Sequence, residues 1–288
     1  MFAAVPGRQA EQLRRRLGDD SAQVAVTDMA ELGRNPARII PEVLAFAQSH
    51  AGQGVCCIGE PVWPGRTAGE IEEALRHEAL VNLAFRDSPV TFLCPYDSAR
   101  LPRWVVADAA STHPSVVTGQ REAASAGYLS PPTLPARCER ALPRPPAQAE
   151  ALGYRDDLGS VRSFVASRAE QAGLDPSRVS DLVLAVSELA ANTVRHADGD
   201  GTVHIWHTRQ KVMCQVADRG RITDPLAWHR ARSEVVLGGK GLWLVNQLCD
   251  LVQARTSPVG TVARLHMRLG QPAIQLQTSP GQSSAECY

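Results

Sequence analysis

Glu188 and Asn192 stand four residues apart in Ser187-Glu188-Leu189-Ala190-Ala191-Asn192, so a helix would project both from one face. A carboxylate and an amide oxygen so placed can hold magnesium, a hard cation that takes oxygen ligands. His196 continues the same line. Taken alone, the pair reads more readily as a solvated polar face. A second stretch, Val216-Ala217-Asp218-Arg219-Gly220, closes a strand-like run. There an aspartate can accept from an exocyclic amino group, and a glycine lets the backbone approach a ring closely. Alone, a turn after a strand is the plainer reading. The third is Gly238-Gly239-Lys240-Gly241-Leu242-Trp243, a glycine-rich loop opening a helix. Its free backbone N–H groups and the positive end of the helix dipole suit phosphate. Lys240 adds a mobile cation, in a chain whose basic residues are otherwise arginines except for Lys211. Such loops are common, so this signal too is weak by itself.

The elements that must position these residues follow from periodicity. Residues 156–172 and 176–197 read as helices, the second opened by Asp175 as N-cap and Pro176 at its first position. Val179, Leu182, Val183, Val186, Leu189 and Thr193 recur at three- and four-residue steps and give it one buried stripe, away from Glu188 and Asn192. Strands follow at 201–207 and 211–218, then a short helix from Gly241 and a closing strand pair at 251–255 and 261–269. Helices on one face of a mixed sheet make an α+β sandwich of residues 151–270. The N-terminal region alternates strands (2–5, 22–26, 55–58, 90–94) with helices (10–17, 39–49, 68–85), which implies a parallel α/β sheet within residues 1–129. The prolines of 130–150 cannot sustain a helix or a central strand. That stretch reads as a semi-rigid linker that few contacts cross, with halves that fold independently. Residues 271–288 read as a disordered polar tail.

Composition excludes several classes. Thirty basic and thirty acidic residues leave no net charge, so neither nucleic acid nor a membrane surface is an indicated partner. There is no apolar run of membrane-spanning length, and the N-terminus lacks the apolar core of a signal peptide. Seven cysteines, none in a CxxC pair, indicate neither a disulfide framework nor a zinc site by spacing. A soluble, cytoplasmic protein is expected.

In combination and in this order, the three stretches resemble the N, G1 and G2 boxes of the GHKL ATPase superfamily, which includes histidine kinases, gyrase and anti-sigma-factor serine kinases. The resemblance covers roughly residues 154–269 and implies binding of ATP with Mg2+. It makes Glu188 the general base and Asn192 the magnesium ligand. Asp218 would hold the adenine amino group, and Gly220 would line the adenine pocket. Gly239, Lys240 and Gly241 would lie over the phosphates, and Thr261 would place a hydroxyl near the adenine. Ile222 stands where the family usually has a second G1 glycine, a departure that favours the anti-sigma-factor branch. That branch implies a serine/threonine kinase whose partner is an anti-anti-sigma-type protein, with a sigma factor as a further partner and a homodimer as the assembly. Two other readings stay open. One is a non-catalytic module that sequesters a partner. The other is a sensor histidine kinase, disfavoured because residues 114–175, where the phosphoacceptor helix would fall, contain no histidine.

The N-terminal half resembles the MEDS domain, a bacterial sensory module related to the RecA-like fold. The resemblance rests on Asn35-Pro36-Ala37-Arg38, on Gly59-Glu60-Pro61-Val62-Trp63-Pro64-Gly65-Arg66, on His77-Glu78-Ala79-Leu80-Val81-Asn82 and on Cys94-Pro95-Tyr96-Asp97. It implies a sensory ligand of unknown identity and, in the family's usual form, a further strand and helix before Phe2. No GxxxxGK[ST] loop is present to bind phosphate. Glu60, Trp63, Arg66 and His77 could line a ligand pocket or simply pack as loop and helix surface. Glu78 and Asn82 repeat the ExxxN spacing of Glu188 and Asn192, but no G1- or G2-like stretch follows them. They read as a satisfied polar pair on a helix.

Overall fold

The computed structural model describes residues 1–197, 199–229 and 241–270, Ser21 by its backbone alone. At the N-terminus, β1 (Phe2–Val5), β2 (Ala25–Asp28), β3 (Val55–Gly59) and β4 (Val90–Leu93) form a wholly parallel sheet in the order β2-β1-β3-β4. All four residues of β1 are buried, as a central parallel strand requires. The crossovers carry α1 (Gly7–Leu17), α2 (Met29–Leu32), α3 (Ile39–Ser49) and α4 (Ala68–Ala84). The start of α4 is fixed by a capping box, in which Thr67 and Glu70 satisfy each other's backbone N–H groups. Beyond β4 come α5 (Arg103–Thr112) and an exposed hairpin of β5 (Ser115–Thr118) and β6 (Arg121–Ala124).

The C-terminal unit comprises β7 (Glu150–Tyr154), α6 (Leu158–Gln171), α7 (Pro176–His196), β8 (Gly201–His207), β9 (Lys211–Asp218), α8 (Gly241–Leu248), β10 (Leu251–Ser257) and β11 (Gly260–Arg268). Its five strands run in the order β10-β11-β9-β8-β7, and every neighbouring pair is antiparallel. The expected mixed sheet is thus corrected to a purely antiparallel one. The pairs β8–β9 and β10–β11 are hairpins, and β9 and β11 join them at the centre of the sheet. β7, which falls at the end of the expected linker, lies along the outer edge of β8, two helices before it in the chain. Along α7 the predicted stripe is buried: Leu182, Val186, Leu189 and Thr193 face a core shared with Val203, Cys214 and Leu265. Covering one such aliphatic side chain stabilises the fold by roughly 1.5–3 kcal/mol. Arg178 lies fully buried on the same helix. Its guanidinium donates to the Leu248 carbonyl at 2.9 Å and pairs with Asp250 at 2.8 Å and Asp181 at 3.0 Å. Those bonds tie the helix layer to the α8–β10 corner. Among the described residues no helix is long and apolar enough to cross a membrane.

The expectation that few contacts cross the proline-rich stretch does not hold. Leu134 and Cys138 are buried in the N-terminal core. The carbonyl of Arg140 accepts from Arg255 at 3.0 Å, and that of Pro143 accepts from Arg264. Around it the two units meet through polar groups: Arg255 pairs with buried Glu73 at 2.7 Å, Arg268 with Glu70 at 3.0 Å and Arg34 with Asp250 at 3.1 Å. Arg38 donates to the carbonyls of Asn246 (2.9 Å) and Cys249 (2.6 Å), and Asn35 donates to the Asn246 carbonyl and side chain, both at 3.0 Å. Proline excludes regular hydrogen bonding along its own segment, yet it leaves carbonyls free to accept from arginines on either side.

Candidate functional site

The site forms where α7, the end of β9 and the start of α8 converge. α7 begins at Pro176 because Asp175 accepts from the backbone N–H of Ser177 at 2.9 Å. Three turns on, Glu188 and Asn192 emerge half-buried at the margin of the stripe, while His196 is exposed. Arg195 donates to the Asn192 side-chain oxygen at 3.4 Å. The Glu188 carboxylate lies against the first residue of α8: a Cβ added to Gly241 would sit 2.6 Å from Glu188 Oε2. Gly241 is therefore a glycine by contact, and the expected base and phosphate-loop stretches do meet in space.

At the other end, Asp218 closes β9. One carboxylate oxygen accepts from the Thr193 hydroxyl at 2.8 Å and the other from the Gly220 N–H at 2.7 Å. Tyr154 in turn donates to Thr193 at 2.9 Å, and burial raises its phenol above the usual range. Thr261, paired with Asp218 across the β9–β11 ladder, donates to the Gly220 carbonyl at 2.8 Å. Asp218, Gly220 and Thr261 therefore form one hydrogen-bonded group. A side chain at Gly220 would press on Ala197 Cβ at 2.9 Å and on Asp218 at 3.0 Å, so that close approach needs glycine. Gly239 and Lys240 lie outside the described residues. Spacing had assigned Thr193 to the apolar stripe alone. Its role as the hydroxyl between Tyr154 and Asp218 was missed, although a threonine among valines and leucines was a readable signal.

These groups fit a nucleotide with magnesium. Two oxygen-bearing side chains stand on one helix face, the positive end of α8 adjoins the carboxylate, and a fixed aspartate keeps unused lone pairs beside a glycine cradle that a Cβ would fill. The segments flanking residues 230–240 are both held. Leu226 is buried in the N-terminal core, Trp228 packs in the C-terminal core, and the Asn246 side chain donates to the Trp228 carbonyl at 2.6 Å. Asn35 and Arg38 grip Asn246 from the N-terminal unit, as described above.

A cavity of about 420 Å³ lies in the N-terminal unit. Of the four residues expected to line a pocket there, only His77 does so. Arg66 stacks over Trp63 at 3.9 Å and donates to the Gly33 carbonyl instead, and Glu60 is buried, its carboxyl pushed up by desolvation. His77 also borders a small cleft lined by Asn35, Arg76, His229 and Asn246. Asn82 is satisfied as expected, donating to the Thr112 carbonyl at 2.7 Å. Tyr96 donates to Glu78 Oε2, and beside the carboxylate, whose Oε1 has no partner of full hydrogen-bond geometry, stands the Cys94 thiol.

Two stretches of the chain are similar to known protein families. Residues 1–114 match the model of the MEthanogen/methylotroph, DcmR Sensory domain (MEDS), and residues 154–267 match the histidine kinase-like ATPase domain. Serine-protein kinase RsbW of Halalkalibacterium halodurans is 30% identical over 112 residues, 34% of this chain and 68% of that protein. Serine-protein kinase RsbW of Bacillus pumilus is 28% identical over 122 residues, 37% of this chain and 75% of that protein. A solved structure of the RsbU and RsbW domains of a Mycobacterium tuberculosis protein shares 23% identity, with a TM-score of 0.34 over 46% of this chain and 36% of that one. The chain thus joins a MEDS domain to a histidine kinase-like ATPase domain. Through the latter it belongs to the family of the anti-sigma-factor kinase RsbW.

Proposed function

We propose that the protein is a serine/threonine kinase of the anti-sigma-factor type, acting on a serine of an anti-anti-sigma-type partner, binding a sigma factor in alternation, and governed by its N-terminal domain. The observation that carries this reading is the contact between Glu188 and Gly241, together with the Asp218–Gly220–Thr261 group across the same face. ATP with magnesium supplies the transferable phosphoryl group. Glu188 takes the proton from the attacking serine hydroxyl, and Asn192 offers its amide oxygen to the metal. Asp218 accepts from the adenine amino group, with Thr193 and the Gly220 N–H holding the carboxylate in place. Gly220 admits the ring, Thr261 secures the Gly220 carbonyl, and the N–H groups at the start of α8 serve the phosphates, with Gly239 and Lys240 as further phosphate contacts. Catalysis of this kind is mostly positioning and charge neutralisation.

Control by the N-terminal domain is supported by the grip of Asn35, Arg38 and the Leu226 pocket on both flanks of residues 230–240. A dimer of two such chains is the assembly in keeping with the kinase reading. Ile222, packed against the C-terminal core where a second glycine would loosen the chain, favours one other reading, a module that sequesters its partner without turnover.

Radiolabelled ATP with candidate partners tests the proposal. Glu188→Gln keeps the shape and hydrogen bonding but cannot accept the proton. ATP binding should therefore persist while acid-stable labelling of a partner serine falls roughly 10²–10⁴-fold. No label on any partner despite tight ATP binding would leave the sequestering module, and acid-labile label on the chain itself would make it a histidine kinase.

A further inference from the structure

We propose that Glu78, Cys94 and His113 bind one divalent cation of the zinc class, at the wall of the N-terminal cavity. The three come from α4, from the residue after β4 and from the residue after α5, and their donor atoms all lie within 4.8 Å of one another. All three line the cavity. The proposal does not depend on the kinase reading, because it concerns the other domain and is tested by metal uptake.

The first argument is the unmatched oxygen. Glu78 is 3% exposed, and Tyr96 occupies its Oε2, while Oε1 has no partner of full hydrogen-bond geometry and the Cys94 thiol, a weak donor, is the polar group beside the carboxylate. Leaving such an acceptor buried without a full partner is costly, and more so for a charged group. The nearest basic atom, His113 Nε2, is 3.8 Å from Oε1. That is too long for a hydrogen bond. It is close to the separation of two ligand atoms that each sit about 2.0–2.2 Å from a shared metal.

The second argument is the state of His113. Its Nδ1 is 2.8 Å from the Ala109 carbonyl and 3.0 Å from the Thr112 hydroxyl. The carbonyl can only accept, and the hydroxyl has the same carbonyl to donate to at 2.9 Å, an arrangement that suits Nδ1 as the protonated nitrogen. In the neutral ring, Nε2 then bears the lone pair, and it is Nε2 that faces Glu78. A metal-binding histidine is commonly held this way, with its far N–H donated to a backbone carbonyl. The ring is braced edge-on against Tyr96, with centroids 5.9 Å apart, so one tyrosine supports two of the three ligands.

The donor set selects the ion. One sulfur, one imidazole nitrogen and one carboxylate oxygen suit a borderline cation such as Zn2+ or Co2+ and not the hard cations, which take oxygen alone. Binding replaces the Cys94 thiol proton, which leaves to solvent as the sulfur–metal bond forms. Three protein ligands leave one position of a tetrahedral site open to the cavity.

The experiment uses the full chain freed of metal and titrated with Co2+, followed by the thiolate-to-cobalt charge-transfer band and then by displacement with Zn2+. One equivalent per chain is expected. In Cys94→Ser the band disappears, and in His113→Gln affinity falls more than about tenfold. Cys56→Ser and Cys287→Ser leave uptake unchanged. Circular dichroism checks that each variant is folded, and His113, partly exposed, is the safer of the two ligand changes. No uptake by the native chain, or native uptake in both ligand variants, overturns the proposal.

Discussion

Adding one methyl group at Gly241 should disable the site without unsettling the fold. The Cβ of Gly241→Ala would stand 2.6 Å from Glu188 Oε2, whereas ordinary contact begins at 3.4 Å, so the carboxylate oxygen must retreat by 3.4 − 2.6, about 0.8 Å. The obstructing atom is the tip of a flexible side chain, so it can move. A misplacement of about 1 Å can cost roughly 10²-fold in rate. The expected loss in phosphoryl transfer is therefore on the order of 30–100-fold, or about 2–2.7 kcal/mol of barrier. Thermal stability should hold or rise, because alanine removes backbone entropy from the unfolded chain, an effect of about 0.4–1 kcal/mol. The assay is single-turnover transfer from ATP to the partner, with ATP affinity measured in parallel by calorimetry. A native transfer rate would refute the reasoning. So would an ATP affinity that falls by the same factor as the rate, since the methyl would then be acting on the phosphates and not on Glu188.

Acid should weaken the protein through its buried histidines. Burial pushes His229 and His266 down to about 3 and His77 well below its usual value. The unfolded chain binds protons from about pH 6.5 downward while the native state does not, so stability is intact above pH 6.5 and is lost as pH falls from there toward 3. Each histidine contributes up to about 1.4 kcal/mol per pH unit within that window. Urea unfolding at pH 7, 6 and 5 tests this, and a flat profile would contradict it. Glu73→Ala strands the Arg255 guanidinium between the domains and should cost about 3 kcal/mol. The cost lies at the low end because the Arg140 and Ala254 carbonyls still accept from it. A urea-measured loss below about 1 kcal/mol would show that the pair is solvated in solution.

What could be read from the chain depended on how local the signal was. α3, β8 and β9 lie where periodicity put them, and α7 starts at Pro176 as its cap and proline require. β7 was missed because only Tyr154 of its five residues is buried, so an edge strand shows no alternation. α5 begins after Pro102 with no side-chain cap, and its start carried no polar signal. Within the candidate site, the ordered boxes pointed to Glu188, Asn192, Asp218, Gly220, Gly241 and Thr261, because each lies on one face of a regular element or at or just beyond its end. The contact of Glu188 with Gly241 was beyond spacing, since 53 positions separate them and only the packing of α7 on α8 closes that gap. The Glu78, Cys94 and His113 group was equally hidden. Its members sit 16 and 19 positions apart on three elements, which is no metal-ligand spacing that sequence alone reveals.

The arginine-rich seam between the domains has a consequence for how any signal would pass. An oily interface can slip by fractions of an ångström at little cost, and its output is then graded. Here Arg38 meets two carbonyls, Arg255 meets Glu73 and Asn35 meets Asn246 at hydrogen-bond length. A partial slide would break these bonds before water could replace them. Intermediate offsets therefore sit high in energy, and the seam rests either engaged or fully parted. A domain pair joined in this way answers its input in steps, like a latch and not like a dial.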